Sequence, residues 1–344
     1  MLRVSSEKRC ILQDYSIDIP VLIIFFARPE QFAQVFKQVR AARPSKLYLY
    51  QDGPRKNNTE DLEGILQCRR IAFDVDWNCE IHTYFQSENV GCDPSEYLAQ
   101  KWMFETEEMG IVLEDDDVPS QSFFPFCKEL LEKYKEDERI NMICGMNNIG
   151  ICEYTPYDYI FTTSGSICGW ASWKRVIDTW DESYKILEDK FNLKQMSGYM
   201  DMFINSTQHI NNLKLHKKIG KAYYESILST SMHLNHRLNI VSAKNLISNI
   251  GITSNSTHSV SNISMLPKGI RRIFNMEIYE IAFPLKHPPY VIDDVEFRNR
   301  IYRIMAKGHP FIKFYRKVES ILLRIKNKDF KGLRKSLHKK IFGK

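Results

Sequence analysis

Four consecutive acids, Glu114–Asp117, follow directly on the apolar run Gly110–Leu113. The apolar run has the length and composition of a buried strand, and a helical pattern begins a few residues after the acids. Adjacent carboxylates repel one another, so a cation is needed to hold four of them at the end of such a strand. Mg²⁺ and Mn²⁺ prefer oxygen ligands and usually keep coordination positions for substrate phosphates. The run therefore predicts a divalent-metal site that takes a phosphorylated ligand.

A solvated acidic turn is the alternative interpretation of these four residues, because most charge runs lie on solvated surfaces. The direct attachment to an apolar strand favours the metal site. Ligands of open α/β sheets bind at the carboxyl ends of the strands, which is where this run would lie.

The chain around the acidic run alternates between strand and helix patterns. Short apolar runs bounded by turn signals predict strands at residues 20–26, 46–50, 79–85, 110–113 and 140–144. Helical spacing predicts helices at residues 32–39, 59–72, 94–109 and 122–134. Beyond Gly145 the alternation weakens, and we predict helices near 197–216 and 222–236, a strand at 239–248 and a loop at 253–264. This order predicts an α/β fold with a largely parallel sheet flanked by helices.

Several protein classes are disfavoured by what the sequence lacks. There is no GxGxxG motif and no Walker phosphate loop, which argues against a dinucleotide oxidoreductase and a P-loop kinase. No apolar stretch approaches the roughly 20 residues of a membrane span, and no signal peptide is evident. The eight cysteines show no CxxC pair and no zinc spacing, so we expect reduced thiols and a cytoplasmic protein.

The net charge of +6 conceals an uneven distribution. Residues 301–344 contain 14 Lys and Arg but only two acids, and so carry +12. The first 300 residues are therefore acidic, at −6. The basic character belongs to a tail and not to the body of the protein.

An ordered set of motifs runs through the body. The set comprises Phe26-Ala-Arg-Pro29, Gln51-Asp-Gly-Pro54, Glu114-Asp-Asp-Asp117, Gly169-Trp-Ala-Ser-Trp173, Ser248-Asn-Ile-Gly251, Thr257-His258 and Phe283-Pro-Leu-Lys-His287. Together they resemble the GT-A class of nucleotide-sugar glycosyltransferases, and more narrowly the bacterial relatives of N-acetylglucosaminyltransferase I. The resemblance implies a single GT-A domain with a central mixed sheet, which we place at residues 20–300. Composition and charge set apart a polar lead-in at 1–19 and a basic tail at 301–344. Within the domain, residues 20–145 would bind the nucleotide-sugar and residues 146–300 the acceptor.

The resemblance also implies roles for the acidic run. Asp116 would ligate the Mn²⁺ or Mg²⁺ that bridges the donor diphosphate, while Glu114 and Asp115 would contact the ribose and the donor sugar. Asp117 stands where the family has an apolar residue or cysteine, so which of Asp115–Asp117 faces the metal is open. Arg28 matches a position near the nucleotide phosphates, and its guanidinium suits bidentate phosphate contact. A surface arginine that caps the loop is the alternative for Arg28.

Three further donor contacts follow from the resemblance. Asp52 matches an acid that recognises the nucleotide base, although an Asx-turn residue before Gly-Pro explains it equally well. Trp170 would line the donor or acceptor pocket and Trp173 would pack in the core, whereas two packing tryptophans are the alternative. His258 would approach the metal or the diphosphate when its loop closes over the donor, and a structural or exposed histidine is the alternative.

An inverting transfer needs a base that takes the proton of the acceptor hydroxyl. In the related sequences an acid lies about two dozen residues before the Ser-Asn-Ile-Gly element, and the corresponding residue here is Glu225. The family has aspartate at this position, so glutamate lengthens the side chain by one methylene. An exposed helix glutamate is the alternative interpretation, and Asp181 and Asp201 are further candidates for the base.

The tail shows apolar residues at helical spacing. A first series spans Phe311–Ile325 and a second spans Phe330–Ile341, with Lys and Arg on the intervening faces. Such helices lie on anionic membrane surfaces, so we expect peripheral binding to the inner face of the plasma membrane. A nucleic-acid partner is disfavoured because the apolar stripe is regular and the body is acidic. A helical hairpin that packs on the domain is the alternative.

The sequence therefore predicts a metal-dependent, inverting glycosyltransferase. It would move a sugar, for example N-acetylglucosamine from a UDP donor, to a surface polysaccharide or a lipid-linked oligosaccharide. A sugar nucleotidyltransferase is one alternative, but the glycine-rich basic loop that it needs is missing from residues 26–29. A catalytically silent scaffold that binds sugar or lipid is the other alternative.

Overall fold

Short apolar runs form the strands of this protein, because side chains there are shielded from water on both faces of a sheet. The computed structural model describes residues 14, 16–252, 263–327 and 329. The strands are β1 Val21–Phe25, β2 Lys46–Gln51, β3 Glu80–Phe85, β4 Met109–Glu114, β5 Asp117–Pro119, β6 Ile140–Cys144, β7 Tyr159–Thr162, β8 Trp170–Trp173, β9 Leu238–Ser242 and β10 Ile247–Asn249. The α-helices are α1 Pro29–Ala42, α2 Thr59–Ala72, α3 Cys92–Thr106, α4 Phe123–Lys133, α5 Lys174–Ile177, α6 Lys190–Asp201, α7 Thr207–Ile219, α8 Tyr224–Leu234, α9 Lys268–Arg271, α10 Val295–Met305 and α11 Pro310–Lys326.

Eight strands form one sheet in the order β3-β2-β1-β4-β8-β6-β9-β7. The four strands β3, β2, β1 and β4 are parallel to one another. Strand β8 is antiparallel to both β4 and β6, β6 is parallel to β9, and β7 is antiparallel to β9. The predicted α/β fold with a central mixed, mostly parallel sheet is therefore confirmed. A separate two-stranded ribbon pairs β5 with β10 in antiparallel orientation.

Helices cover both faces of the sheet and create two hydrophobic cores. One core contains side chains of α1, α2 and α4, among them Phe32, Phe126 and Leu130. The other contains side chains of α3, α6, α8 and α10, among them Phe104 and Tyr224. A sheet buried on both faces explains why its first strands read as unbroken apolar runs and not as alternating patterns.

The predicted elements before Gly145 are confirmed, with small differences at their ends. Two predictions beyond it are wrong. The helix expected at 197–216 is two helices, α6 and α7, separated by a turn in which the Asp201 carboxylate accepts a hydrogen bond from the Ser206 amide at 2.7 Å. The strand expected at 239–248 is divided between β9 and β10, because the Asn245 side chain holds a turn between them by donating to the carbonyls of Ile247 and Glu277. Strands β5, β7 and β8 were not predicted.

The end of the body and the start of the tail are continuous. The boundary predicted between residues 300 and 301 falls inside α10, where Phe297 and Ile301 are buried in the second core. Most of the loop predicted at 253–264, and the second apolar series of the tail, lie outside the described residues. Among the helices that the structure describes, none combines the length and the apolar character needed to cross a bilayer.

Strand β8 lies between β4 and β6 and joins the two halves of the sheet. Its last residue, Trp173, can be substituted to test how tightly this strand packs. The indole is 2 % exposed and donates a hydrogen bond from Nε1 to the Leu131 carbonyl at 3.0 Å. We expect Trp173→Ala to lower the free energy of unfolding by about 3–5 kcal/mol, because it leaves a large cavity. Tyr290→Ala, at a ring that is 72 % exposed, should change it by no more than about 0.5 kcal/mol. Urea unfolding of both variants checks this, and similar small effects would contradict the predicted packing.

Candidate functional site

The acidic run lies at the point in the sheet where the order of the strands reverses. Strands β2 and β3 extend the sheet on one side of β1, whereas β4 pairs with β1 on its other side. This arrangement is a topological switch point, and ligands of open α/β sheets bind in the crevice at its carboxyl edge. The register pairs Ile24 of β1 with Glu114 of β4, so the residues that follow both strands emerge side by side.

Arg28, which follows β1, forms ion pairs with two acids of the run. Its guanidinium makes a bidentate contact with Asp115, and its Nη1 lies 3.0 Å from Asp116 Oδ2. Asp115 and Asp116 are buried, at 3 % and 7 % exposure. Within the described residues, Arg28 is the only Lys or Arg that forms an ion pair with this run. Arg28 therefore lies beside the acidic run and is not a solvated surface residue, while its place near the nucleotide phosphates stays a prediction.

Asp117 is an internal anchor of the acidic run. Its side chain is fully buried, and it accepts hydrogen bonds from the Gly169 amide at 2.9 Å and from Asn249 Nδ2 at 3.1 Å. The same Asn249 nitrogen lies 3.1 Å from Asp116 Oδ1. Both carboxylate oxygens of Asp117 therefore accept hydrogen bonds inside the protein. Asp115 and Asp116 are the aspartates of this run that pair with Arg28. Asp116 keeps its place as the predicted metal ligand.

The Ser248-Asn-Ile-Gly251 element packs directly on Asp116. The ribbon of β5 and β10 pairs Asn249 with Asp117, and the Ile250 amide donates to the Asp116 carbonyl at 2.9 Å. A β-carbon at position 251 would collide with Asp116 Oδ2, so only glycine allows this approach. The backbone of the second half of the chain therefore fixes the carboxylate supplied by the first half.

A second group of acids surrounds Glu114. Glu96, the fifth residue of α3, is 8 % exposed and accepts a hydrogen bond from the Cys92 thiol at 3.1 Å. Burial, and then the charges of Asp93, Glu225 and Asp116, raise the pKa of Glu96 to about 8. Burial and the nearby charge of Glu96 also raise the pKa of Glu114 well above its usual range. Sequence analysis missed Glu96, which stands only two residues after the predicted helix start at Pro94.

Glu225, the predicted base, lies in the first turn of α8 and is exposed. Its charge contributes to the raised pKa of Glu96, which places the two carboxylates within electrostatic range of each other. Tyr224 beside it is fully buried, and its hydroxyl has no hydrogen-bond partner within the described part of the chain. The charges of Glu96, Glu114 and Glu225 add to burial in raising the pKa of Tyr224. The structure thus brings the predicted base to the side of the site where Glu114 lies.

The two alternative bases have structural partners of their own. Asp181 accepts hydrogen bonds from the Ser183 and Lys185 amides at 3.0 and 2.6 Å. Asp201 accepts from the Ser206 amide, as described above. Each carboxylate closes a local turn, so Glu225 remains the preferred candidate for the base.

Asp52 holds a loop at the same edge of the sheet. Its carboxylate accepts hydrogen bonds from four groups: the amides of Gly53, Val90 and Gly91, and the Asn89 side chain. These bonds tie Asp52 to the loop between β3 and α3. The expected Asx turn is not formed, because the residue two positions on, Pro54, has no amide hydrogen. With four donors already bound, Asp52 has a structural function in this state, and base recognition stays a prediction.

Trp170 requires a correction. Its side chain is 1 % exposed and stacks against Tyr224 with ring centroids 6.3 Å apart. The indole therefore packs in the second core and presents no face to a pocket, unlike the position that we expected. The packing position expected for Trp173 is confirmed. His258 lies outside the described residues.

The residues at this edge suit a divalent cation that shares its coordination with a substrate. Within the described ranges, no three His, Cys, Asp or Glu side chains converge closely enough to enclose a metal ion. Burial raises the pKa of Asp116 in spite of the nearby Arg28. Mg²⁺ and Mn²⁺ sites of phosphate-transferring enzymes commonly use one or two carboxylates together with substrate phosphates. Asp116, with Asp115 beside it, fits that pattern.

Comparisons with known proteins do not identify a family. No protein-family model and no curated protein matches the chain. The match to an apo UDP-glucose pyrophosphorylase covers 68 % of this chain and 93 % of that protein's chain, at 9 % identity and a TM-score of 0.33. A UDP-glucose pyrophosphorylase in complex with UDP-glucose covers 67 % and 93 %, at 8 % identity and a TM-score of 0.33. The 4-diphosphocytidyl-2C-methyl-D-erythritol synthase of Anaerococcus prevotii DSM 20548 covers 46 % and 73 %, at 11 % identity and a TM-score of 0.26. Likenesses of this size do not confirm the relation to N-acetylglucosaminyltransferase I.

The raised pKa of Glu96 makes a prediction about stability. Between its ordinary value of 4.5 and about 8, the folded protein holds a proton at Glu96 that the unfolded chain releases. This term therefore destabilises the folded state as pH rises through that window. Glu96→Gln removes it, so the variant should gain at least about 1.4 kcal/mol over the wild type between pH 5 and pH 8.5.

Urea unfolding in the presence of EDTA measures this difference without interference from metal. Glu132→Gln, at an exposed glutamate of α4, is the matched control and should follow the wild-type curve. Parallel pH dependences of Glu96→Gln and the wild type would contradict the buried, protonated state of Glu96.

Proposed function

We propose that this protein is a metal-dependent, inverting glycosyltransferase. It takes a sugar from a nucleotide-sugar, such as UDP-N-acetylglucosamine, and passes it to a surface polysaccharide or a lipid-linked oligosaccharide. The observation that carries the proposal is the set of buried carboxylates at the switch point of the sheet, opposed by the single guanidinium of Arg28. A site with this excess of negative charge suits a cation together with the diphosphate that the cation binds.

Donor binding would use residues that already lie together. Asp116 would hold Mn²⁺ or Mg²⁺, and the cation, when bound, supplies positive charge next to the departing diphosphate. Once the carboxylates face the cation, Arg28 would exchange its ion pairs with Asp115 and Asp116 for contacts with the phosphates. Glu114 and Asp115 would accept hydrogen bonds from the hydroxyls of the donor sugar and the ribose.

Transfer would proceed by one displacement at the anomeric carbon. The acceptor oxygen forms a bond to the anomeric carbon while the bond between that carbon and the diphosphate oxygen breaks. Glu225 takes the proton of the acceptor hydroxyl. The nucleoside diphosphate leaves with the bonding electron pair. Inversion is the expected outcome because the acceptor and the leaving group occupy opposite faces of the sugar.

The cellular location proposed for this reaction is the inner face of the plasma membrane, with the protein in the cytoplasm. Lipid-linked acceptors are presented at that surface, and the basic tail is the part of the chain that supports contact with it.

Product analysis of the full chain tests the function. With Mn²⁺ and a panel of UDP-sugars, release of UDP coupled to sugar transfer supports the proposal. Asp116→Asn should lower kcat/KM by about 10²–10³-fold because it removes the metal-facing charge. Glu225→Gln should lower kcat by about 10²–10⁴-fold because it removes the base. Asp178→Asn, at an exposed acid paired with Lys174, is the control and should retain activity.

The same assay separates the two alternatives. Release of pyrophosphate from UTP and a sugar 1-phosphate would identify a nucleotidyltransferase. Absence of turnover with every donor, in a folded protein, would favour the silent scaffold. UDP release that persists unchanged in Asp116→Asn would overturn the assignment of the metal site.

A further inference from the structure

Helix α11 exposes apolar side chains along its whole length. These are Phe311, Phe314, Tyr315, Val318, Ile321, Leu322 and Ile325, with exposures from 38 % to 87 %. At 3.6 residues per turn they fall within a sector of about 120° on one side of the helix. None of the residues of α11 is buried. Exposed apolar surface that is contiguous in this way marks an interaction site in a water-soluble protein.

The opposite side of α11 attaches it to the body. Arg316 donates a hydrogen bond to the Ile304 carbonyl at 2.5 Å, and Glu319 accepts one from the Lys268 amide at 2.9 Å. Ile312 and Leu323 are half-buried on this side. The body therefore holds α11 in an orientation that directs the apolar sector outward.

Basic residues flank the apolar sector. Lys317 lies beside one border, and Lys326 lies beside the other. Lys313 and Arg324 lie farther round the helix beyond Lys317, and Asp329 pairs with Arg324 at 2.7 Å. Glu319, the one acid of α11, is on the side that faces the body. An apolar sector bordered by lysines is the pattern of a helix that lies in a membrane interface.

We infer that α11 is a docking helix that inserts its apolar sector into the surface of an anionic lipid bilayer. Phenylalanine and leucine side chains would enter the boundary of the acyl chains, while the lysines contact lipid phosphates. Partly buried apolar area and several basic residues together give reversible binding without a spanning segment.

Charge argues against the other occupants of this surface. Residues 330–344 contain six Lys and Arg and no acid, so they would be repelled by the lysines that border the sector. A second copy of α11 would bring the same charges together. Nucleic acid would satisfy the lysines but would leave the apolar sector exposed. An anionic bilayer complements both features.

Sedimentation of the full chain with lipid vesicles tests the inference. The vesicles are neutral phosphatidylcholine alone, or the same lipid with 30 % phosphatidylglycerol, a composition chosen for the assay. We expect binding to the anionic vesicles, and Phe311→Ser should reduce the partition coefficient about tenfold, because a buried phenylalanine is lost. Lys317→Gln combined with Lys326→Gln should reduce it by about 30-fold on anionic vesicles, at roughly 1 kcal/mol per lysine. Phe191→Ser is the matched control, because Phe191 is 70 % exposed and is the second residue of α6, as Phe311 is of α11.

Three results would overturn the inference. Vesicle binding that is absent, or that Phe311→Ser leaves unchanged, excludes docking through α11. A loss of dimer in sedimentation velocity caused by Phe311→Ser would assign the surface to a second copy. A fall in melting temperature much larger for Phe311→Ser than for Phe191→Ser would show that residues of the same chain cover the sector. Nucleotide-sugar binding, measured separately in the same variants, should be unaffected, so failure of the proposed function would be recognised independently.

Discussion

The burial of three consecutive aspartates, Asp115–Asp117, beside the guanidinium of Arg28 is the constraint on which the site depends. Asp115, Asp116 and Asp117 are each less than a tenth exposed, and Arg28 pairs with the first two. Such a concentration of like charge is costly unless hydrogen-bond donors and cations surround it. The described residues supply enough hydrogen-bond donors to hold the acids in place but too little positive charge to neutralise them. A metal cation that also binds a diphosphate would balance the remaining negative charge.

The second half of the chain is arranged around this constraint. Strand β8 brings the Gly169 amide to Asp117, and the ribbon of β5 and β10 brings Asn249 to both Asp116 and Asp117. Gly251 then permits the backbone to lie against Asp116. The antiparallel strands interrupt a parallel sheet at the point where the acids need hydrogen-bond partners. The first half of the chain therefore supplies the carboxylates of the site, and the second half supplies the donors that hold them.

Local patterns predicted the first half of the fold well. Runs such as Val21–Phe25 are buried on both faces, so their composition alone defines them, and the helices between them have clear apolar spacing. The second half was harder, because β7 and β8 are four residues each and their pairing depends on distant partners. The sequence indicated that the acidic run and Arg28 each follow a strand, but the ion pairs between them are seen only in the structure. The burial of Trp170, the anchoring of Asp117 and the proximity of Glu96 depend on tertiary contacts between segments far apart in sequence, which no local pattern records.

The most direct test of this account is the melting temperature of the full chain with Mn²⁺, with UDP, with both, and with both plus EDTA. The account predicts that Mn²⁺ and UDP stabilise the protein only when present together. At about 100 times Kd the stabilisation should be about 2.7 kcal/mol. EDTA should abolish the shift, and Asp116→Asn should not show it. An equal shift with UDP in EDTA, or no shift with UDP or any other nucleoside diphosphate, would contradict the proposal that the acidic run binds a metal–diphosphate donor.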